Sequence, residues 1–175
     1  NCLYYTDAAA PSGLDGRNVI KSGTASSVTI TDGQPFYAPE AFTATDISYS
    51  RTFTKGADGT GANWSTLILP FAATALTDVT DAKSLDWFHS STETGKSVWI
   101  KDFSAEDATT VYFNYAGAAI EANHPYIIAV AGNKWGEEWD MTGKTLRFSA
   151  AGVTVPATIR QQTEGTTYDF TGGTL

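Results

Sequence analysis

The stretch Asn133-Lys-Trp-Gly-Glu-Glu-Trp-Asp140 gathers residue types suited to recognising a ligand. Trp135 and Trp139 stand four apart and flank a glycine and the acids Glu137 and Glu138. Gly132 and Gly143 bound the segment and mark it as a surface excursion. An exposed indole stacks on the apolar face of a sugar ring while nearby carboxylates and amides accept its hydroxyl protons, so the four residues form a candidate carbohydrate platform. In the competing arrangement both indoles fold back to cap one end of the core and the glutamates stay in water. The pattern favours the cap. Trp87 and Trp99, earlier in the chain, read as core.

Other chemistry finds less support. Gly95-Lys96-Ser97 and Gly143-Lys144-Thr145 have the tail of a phosphate-binding loop, but Ser90 and Glu138 stand where its leading glycine belongs. No Gly-x-Ser-x-Gly elbow and no His-Glu-x-x-His pair occurs. His89 and His124 are the only imidazoles, and packing or exposure accounts for each, so neither a metal nor a cofactor is expected. The acid pairs Glu106-Asp107 and Glu137-Glu138 point apart on a strand and are solvated on a loop. Neither makes the facing pair of carboxylates that glycoside hydrolysis needs. Cys2 is the single cysteine, which excludes an internal disulfide, and its place at the chain start suits no catalytic thiol. No enzyme activity is expected.

With 175 residues the chain fits one domain, residues 1–175, large enough to bury a core without staples. Aromatic content of 13% is high and supplies that core. The formal net charge is −8, with 11 scattered basic residues, which argues against nucleic acid and anionic membranes as partners. No apolar run approaches the roughly 20 residues of a membrane helix, so no membrane insertion is expected. The first residue is Asn1 and no signal-like leader opens the chain, which reads as a mature or excised part of a longer protein.

The elements that must position these residues read as strands. The most apolar run, Asn63-Trp-Ser-Thr-Leu-Ile-Leu-Pro-Phe71, places bulk on both faces of the pleat and reads as a central strand ending at Pro70. Period-two alternation recurs over residues 27–31, 47–53 and 109–115, and shorter strand signals cover 3–5, 18–21, 126–130, 146–150, 153–155 and 168–170. Residues 86–90 and 97–103 read as a hairpin. Residues 34–42, broken by proline, cross an end of the core, and 55–62 form a glycine-rich loop. Arg51 shares a face with Ile47, Tyr49 and Phe53, and is expected to lay its stem over the aromatics with its head on a carboxylate or at the rim. Residues 78–85 are the one helical candidate, capped by Asp78 or Thr80. About ten short strands separated by turns predict an all-β sandwich, Greek-key or jelly-roll-like, with at most one short helix.

Tyr49-Ser-Arg-Thr-Phe53, Asn63-Trp-Ser-Thr-Leu-Ile-Leu-Pro-Phe71 and Ile120-Glu-Ala-Asn-His-Pro-Tyr-Ile-Ile128 resemble, in that order, a β-rich module found in large secreted and surface proteins of gut Bacteroidetes. The opening Asn1-Cys-Leu-Tyr-Tyr5 is similar to that module's beginning. The resemblance implies export and an extracellular or cell-surface location, and implies no activity and no site residue. The expectation is thus a non-catalytic structural or interaction module, adhesin-like, of an exported bacterial surface protein, with other surface proteins or glycans as partners. The alternative is a carbohydrate-binding module that uses an exposed tryptophan loop.

Overall fold

The computed structural model describes residues 1–9, 12–13, 16–59, 61–158, 162–164 and 170–172. Among these it is all-β. The first strands are β1 (Tyr4–Thr6), β2 (Val19–Lys21), β3 (Thr24–Thr31), β4 (Phe42–Thr52), β5 (Ser65–Leu67), β6 (Ala75–Asp78) and β7 (Lys83–Leu85). They are followed by β8 (Trp87–Phe88), β9 (Val98–Glu106), β10 (Val111–Tyr115), β11 (Tyr126–Val130), β12 (Thr145–Val155), β13 (Gln162–Glu164) and β14 (Phe170–Gly172). Two short 3-10 turns, Asn133–Trp135 and Glu137–Trp139, lie between β11 and β12.

A seven-stranded sheet in the order β1-β2-β3-β4-β12-β6-β7 packs in a sandwich-like arrangement against a five-stranded sheet. In the second sheet β10-β9-β11-β5 run side by side and β8 pairs in parallel with β9. β13 and β14 form a separate antiparallel ribbon. The core lies between the two sheets. Ile30, Ile47, Tyr49, Leu76 and Phe148 come from the larger one, and Leu67, Val98, Ile100 and Ile128 from the smaller. The Tyr49 hydroxyl, carried into this core, donates to Asp32 Oδ1 at 2.5 Å, which satisfies a group that burial would otherwise leave costly. Burial, the hydrogen bond and the charge of Asp32 all push this phenol well above its ordinary pKa. Arg51 behaves as its pattern predicts. Its guanidinium lies 5.2 Å from the Phe53 ring centroid and 3.8 Å from Asp32, and it donates to the Thr66 carbonyl at 3.0 Å. That last bond joins β4 of one sheet to the edge strand of the other.

The run 63–71 is not a central strand. Only Ser65–Leu67 pairs, and it does so at the edge of the smaller sheet. The physical reason is a change of layer: β5 belongs to one sheet and β6 to the other, so residues 68–74 cross the interior between them. Leu69 and Phe71 are therefore surrounded on all sides without a strand on each flank, and their exposure is 0%. Ile68 is only half-buried. Pro70 has no amide to offer a ladder. Instead the segment is fixed by bonds of Ala73 to Ile120 in both directions and by the Asn123 amide on the Leu69 carbonyl.

Three other expectations change. Residues 78–85 form no helix: Asp78 Oδ1 accepts the amides of Thr80 and Asp81, the same bonding a helix cap makes, but the chain then reverses into a β6–β7 hairpin with Ala82 at φ 54°. Residues 86–90 and 97–103 are not a hairpin, because β8 and β9 run parallel and the connection 89–97 must return the chain to the same end. The segments 146–150 and 153–155 are one strand, β12. The alternation breaks there for a reason shared with its neighbours. In β3, β4 and β12 the buried set slips by one residue at the same level, between Ala25 and Val28, Ala44 and Ile47, and Ala150 and Val153. Gly152 stands at that level with φ 63°, a left-handed conformation that costs other residues more. Of the strand expected at 168–170, Phe170 opens β14 and the preceding two residues lie outside the described ones.

Two stability measurements probe these assignments. Leu69→Ala is expected to lower the unfolding free energy by about 2 to 5 kcal/mol, the range for a leucine deleted from a packed interior; a loss in denaturant titration below about 0.5 kcal/mol contradicts the inter-sheet position. At Gly152 a Cβ would meet nothing within 4 Å, so Gly152→Ala reports backbone conformation alone. It should cost about 1 to 2 kcal/mol. An unchanged midpoint would mean that the strand does not need the left-handed residue.

Candidate functional site

The site is built on β9. Val98 and Ile100 face the core and are fully buried, so the residues between and after them, Trp99 and Lys101, project from the outer face of the smaller sheet. Register then brings their neighbours alongside. Phe88 pairs with Trp99 on one flank and Ala129 on the other, while Tyr115 and Ile127 flank Lys101. The Phe88 and Trp99 rings stack at 4.9 Å with 13° between planes. Trp135 leans on Trp99 from the first 3-10 turn, at 5.0 Å and 52°. The Lys101 ammonium lies 4.8 Å from the Tyr115 ring centroid and 5.6 Å from that of Trp64.

The tryptophan excursion is held at its base. The Met141 amide donates to the Ala131 carbonyl, and Met141 itself is buried, so residues 132–140 leave and rejoin the sheet at one point. The glycine-rich loop packs beside it: Ala57 bridges Ala131, and a Cβ placed on Gly56 would lie 2.4 Å from the Gly132 Cα. Two backbones touch there, which only glycine permits. Neither 3-10 turn buries a residue, so the indoles do not fold back into the core as a cap. Trp135 is 49% exposed and Trp139 is half-buried.

Two adjoining cavities result. One, about 310 Å³, is lined by Phe88, Trp99, Tyr115, Trp135 and Trp139 together with Ser90, Glu93 and Lys96 of the 89–97 connection. The other, about 190 Å³, is lined by Trp64, Trp99, Lys101, Tyr115, Trp135 and the small residues of the glycine-rich loop. They share Trp99, Tyr115 and Trp135, and together they reach the size of a small-ligand site. A further hollow of about 400 Å³ on the outer face of the larger sheet is lined mainly by serine, threonine and alanine and carries no aromatic ring.

Of the four candidate platform residues, Trp135 lines both cavities and Trp139 one. Glu137 and Glu138 are exposed and line neither. Trp99 is half-buried on the outer face rather than in the core, whereas Trp87 is core, its indole N–H donating to the Gly117 carbonyl. Trp64, Phe88, Lys101 and Tyr115 join the site without having been expected there. For Trp99 and Lys101 the sequence does carry a signal, since both alternate with Val98 and Ile100.

The wall formed by the 89–97 connection is organised by Lys96. Its ammonium donates to the Trp87 carbonyl at 2.7 Å and pairs with Asp86 at 2.7 Å and Glu93 at 3.1 Å. Burial alone would raise the Asp86 carboxyl, but the hydrogen bonds from Lys96 and the Trp87 amide outweigh it and hold the group below the usual range. Glu93 is held low chiefly by the His89 amide and then by Lys96. The histidines are engaged elsewhere, His124 with Asp102 at 2.6 Å and His89 with Asp86 and the Ala116 carbonyl. Among the described residues no group of three or more histidine, cysteine or acidic side chains is placed to hold a metal ion. Asp107 shapes the β9–β10 turn, accepting from the Thr109 and Thr110 amides and the Tyr112 hydroxyl. Comparison with protein-family models, curated proteins and solved structures finds no match to this chain.

The lysine wall has a pH signature. Asp86 and Glu93 have folded pKa values below their unfolded ones, so their contribution is complete above the ordinary carboxylate range and disappears as pH falls through the folded values. Lys96→Met should therefore lower the melting temperature at pH 7 and do so less below about pH 4. Melting curves of both proteins at pH 7 and pH 3 check this, and an equal difference at both values contradicts the ion-pair account.

Proposed function

We propose that this chain is a non-catalytic, adhesin-like binding module of an exported surface protein, and that its aromatic groove takes carbohydrate. The observation that carries the reading is Trp135, half exposed on a half-buried Trp99 at the junction of two cavities. A tryptophan supported by other rings, with one face left in water, offers a rigid flat surface at little cost in side-chain freedom. Sugar rings present C–H faces to such a surface and hydroxyls to its rim, and Ser90, Glu93 and Thr94 supply hydrogen-bonding groups on the wall. Glu137 and Glu138 lie on the turn that carries Trp139 and line neither cavity.

The cell-surface setting is supported by the resemblance of residues 1–5, 49–53, 63–71 and 120–128 to modules of exported Bacteroidetes proteins. Glycans are abundant there. The acidic composition fits the same setting better than a nucleic-acid partner.

Screening on a glycan array, followed by calorimetry on the best binders, tests the reading with Trp135→Ala. Because that side chain is already half exposed, the variant should melt within a few degrees of wild type while binding falls roughly thirtyfold or more, as for a central aromatic anchor. Tryptophan emission of the wild type should shift on binding. Wild-type affinity retained in the variant, or no glycan bound by either protein, overturns the reading.

A further inference from the structure

We infer that the groove selects an acidic saccharide, a uronic or sialic acid residue, whose carboxylate is received by Lys101; this rests on the carbohydrate reading of the same groove. The chain carries 19 acidic against 11 basic residues, so cations that have no acid beside them are the ones to explain. Lys96 pairs with Asp86 and Glu93, Lys144 with Asp78 and Asp81, and Arg51 with Asp32. Lys101 pairs with none among the described residues, nor do Lys21, Lys55, Lys83, Lys134 or Arg147, and of these Lys101 is the one that lines the aromatic groove. Its neighbours across the sheet are Tyr115 and Ile127, and its ammonium is steadied by the faces of Tyr115 and Trp64.

A ring face satisfies a cation's charge in part, yet leaves its three N–H donors without an oxygen. Those donors belong to a side chain that lines the smaller cavity, and among the described residues of that lining Lys101 is the one that carries a charge. A second ammonium stands at the wall: Lys134 Nζ would be 3.0 Å from a Cβ on Gly59, another lining residue. Trp135 and Lys101 thus face one space. A sugar ring on the indole brings a ring-borne carboxylate to the ammonium, and a charge-assisted bond of this kind is about twice as strong as a neutral one. The larger cavity offers no such preference, because its Lys96 is already neutralised by Glu93 and Asp86.

The test compares oligogalacturonate and sialyllactose with their methyl esters, which keep the ring and remove the charge. Calorimetry on wild type, Lys101→Met, Lys101→Arg and Trp135→Ala should show at least one acid bound about tenfold more tightly than its ester by wild type, a preference that fades at high salt. Lys101→Met, which keeps the stem over the rings, should abolish the preference, acid and ester then binding alike, with the melting temperature nearly unchanged. Lys101→Arg should restore it, and Trp135→Ala should weaken acid and ester together. If glycans bind through Trp135 but neither acid exceeds its ester, or if the preference survives in Lys101→Met, this inference fails and the carbohydrate reading stands. If no glycan binds at all, both fail.

Discussion

Val98 and Ile100 are sealed between the two sheets, and a strand can bury one alternate set of side chains on its core face only by turning the other set outward. Trp99 and Lys101 are outward for that reason. The same constraint then passes sideways through the register. Ile128 lies opposite Ile100, so Ile127 and Tyr115 share the face of Lys101, and Trp87 faces inward beside Val98 while Phe88 meets Trp99. The aromatic groove is in this sense the reverse side of the core. A change that rotated β9 by one residue would bury the lysine and expose two aliphatic side chains, so the fold's stability and the groove's composition are tied together.

Close backbone approach supplies the second half of the site. The Gly56–Gly132 contact lets the glycine-rich loop and the tryptophan excursion lie against each other without intervening side chains. Trp64 and Trp135, about seventy positions apart in sequence, thereby line the same cavity. Lys96 performs a comparable task on the opposite wall, gathering Asp86, Glu93 and the Trp87 carbonyl so that the 89–97 connection has a defined shape.

Much of this is legible in the chain, and the failures are instructive. Alternation identifies β3 and most of β4, each with one buried and one wetter face, and β10, whose faces are half-buried and exposed, while β11 is legible as an apolar run. The surface excursion at 132–143 is signalled by its glycines and tryptophans. The central-strand reading of 63–71 fails because total burial has two causes: a strand covered on both faces, or a chain crossing between layers. Leu69 and Phe71 belong to the second. The helix reading at 78–85 fails because an aspartate accepting the next amides looks identical whether a helix or a reversal comes after it. Residue type assigns Trp99 to the core, although its phase relative to Val98 and Ile100 places it outside. The same phase places Lys101 outside, but nothing in the sequence marks it as a lysine with no acid beside it. An ammonium without an acid beside it is a property of neighbours brought together by register, and composition does not reveal it.

The common slip of β3, β4 and β12 around Gly152 bears on how the chain tolerates changes of length. Above and below that level the three strands expose opposite phases, and they change phase together. One residue gained or lost in any single strand would leave it out of step with two partners on one side of the slip, presenting threonines and serines to the interior. Only coordinated changes in all three would restore agreement. A change of length in the middle of the larger sheet is therefore expected to destabilise the fold. The cost is lower in connections outside the ladders, such as the glycine-rich loop and the 132–140 excursion, the segments that wall the groove.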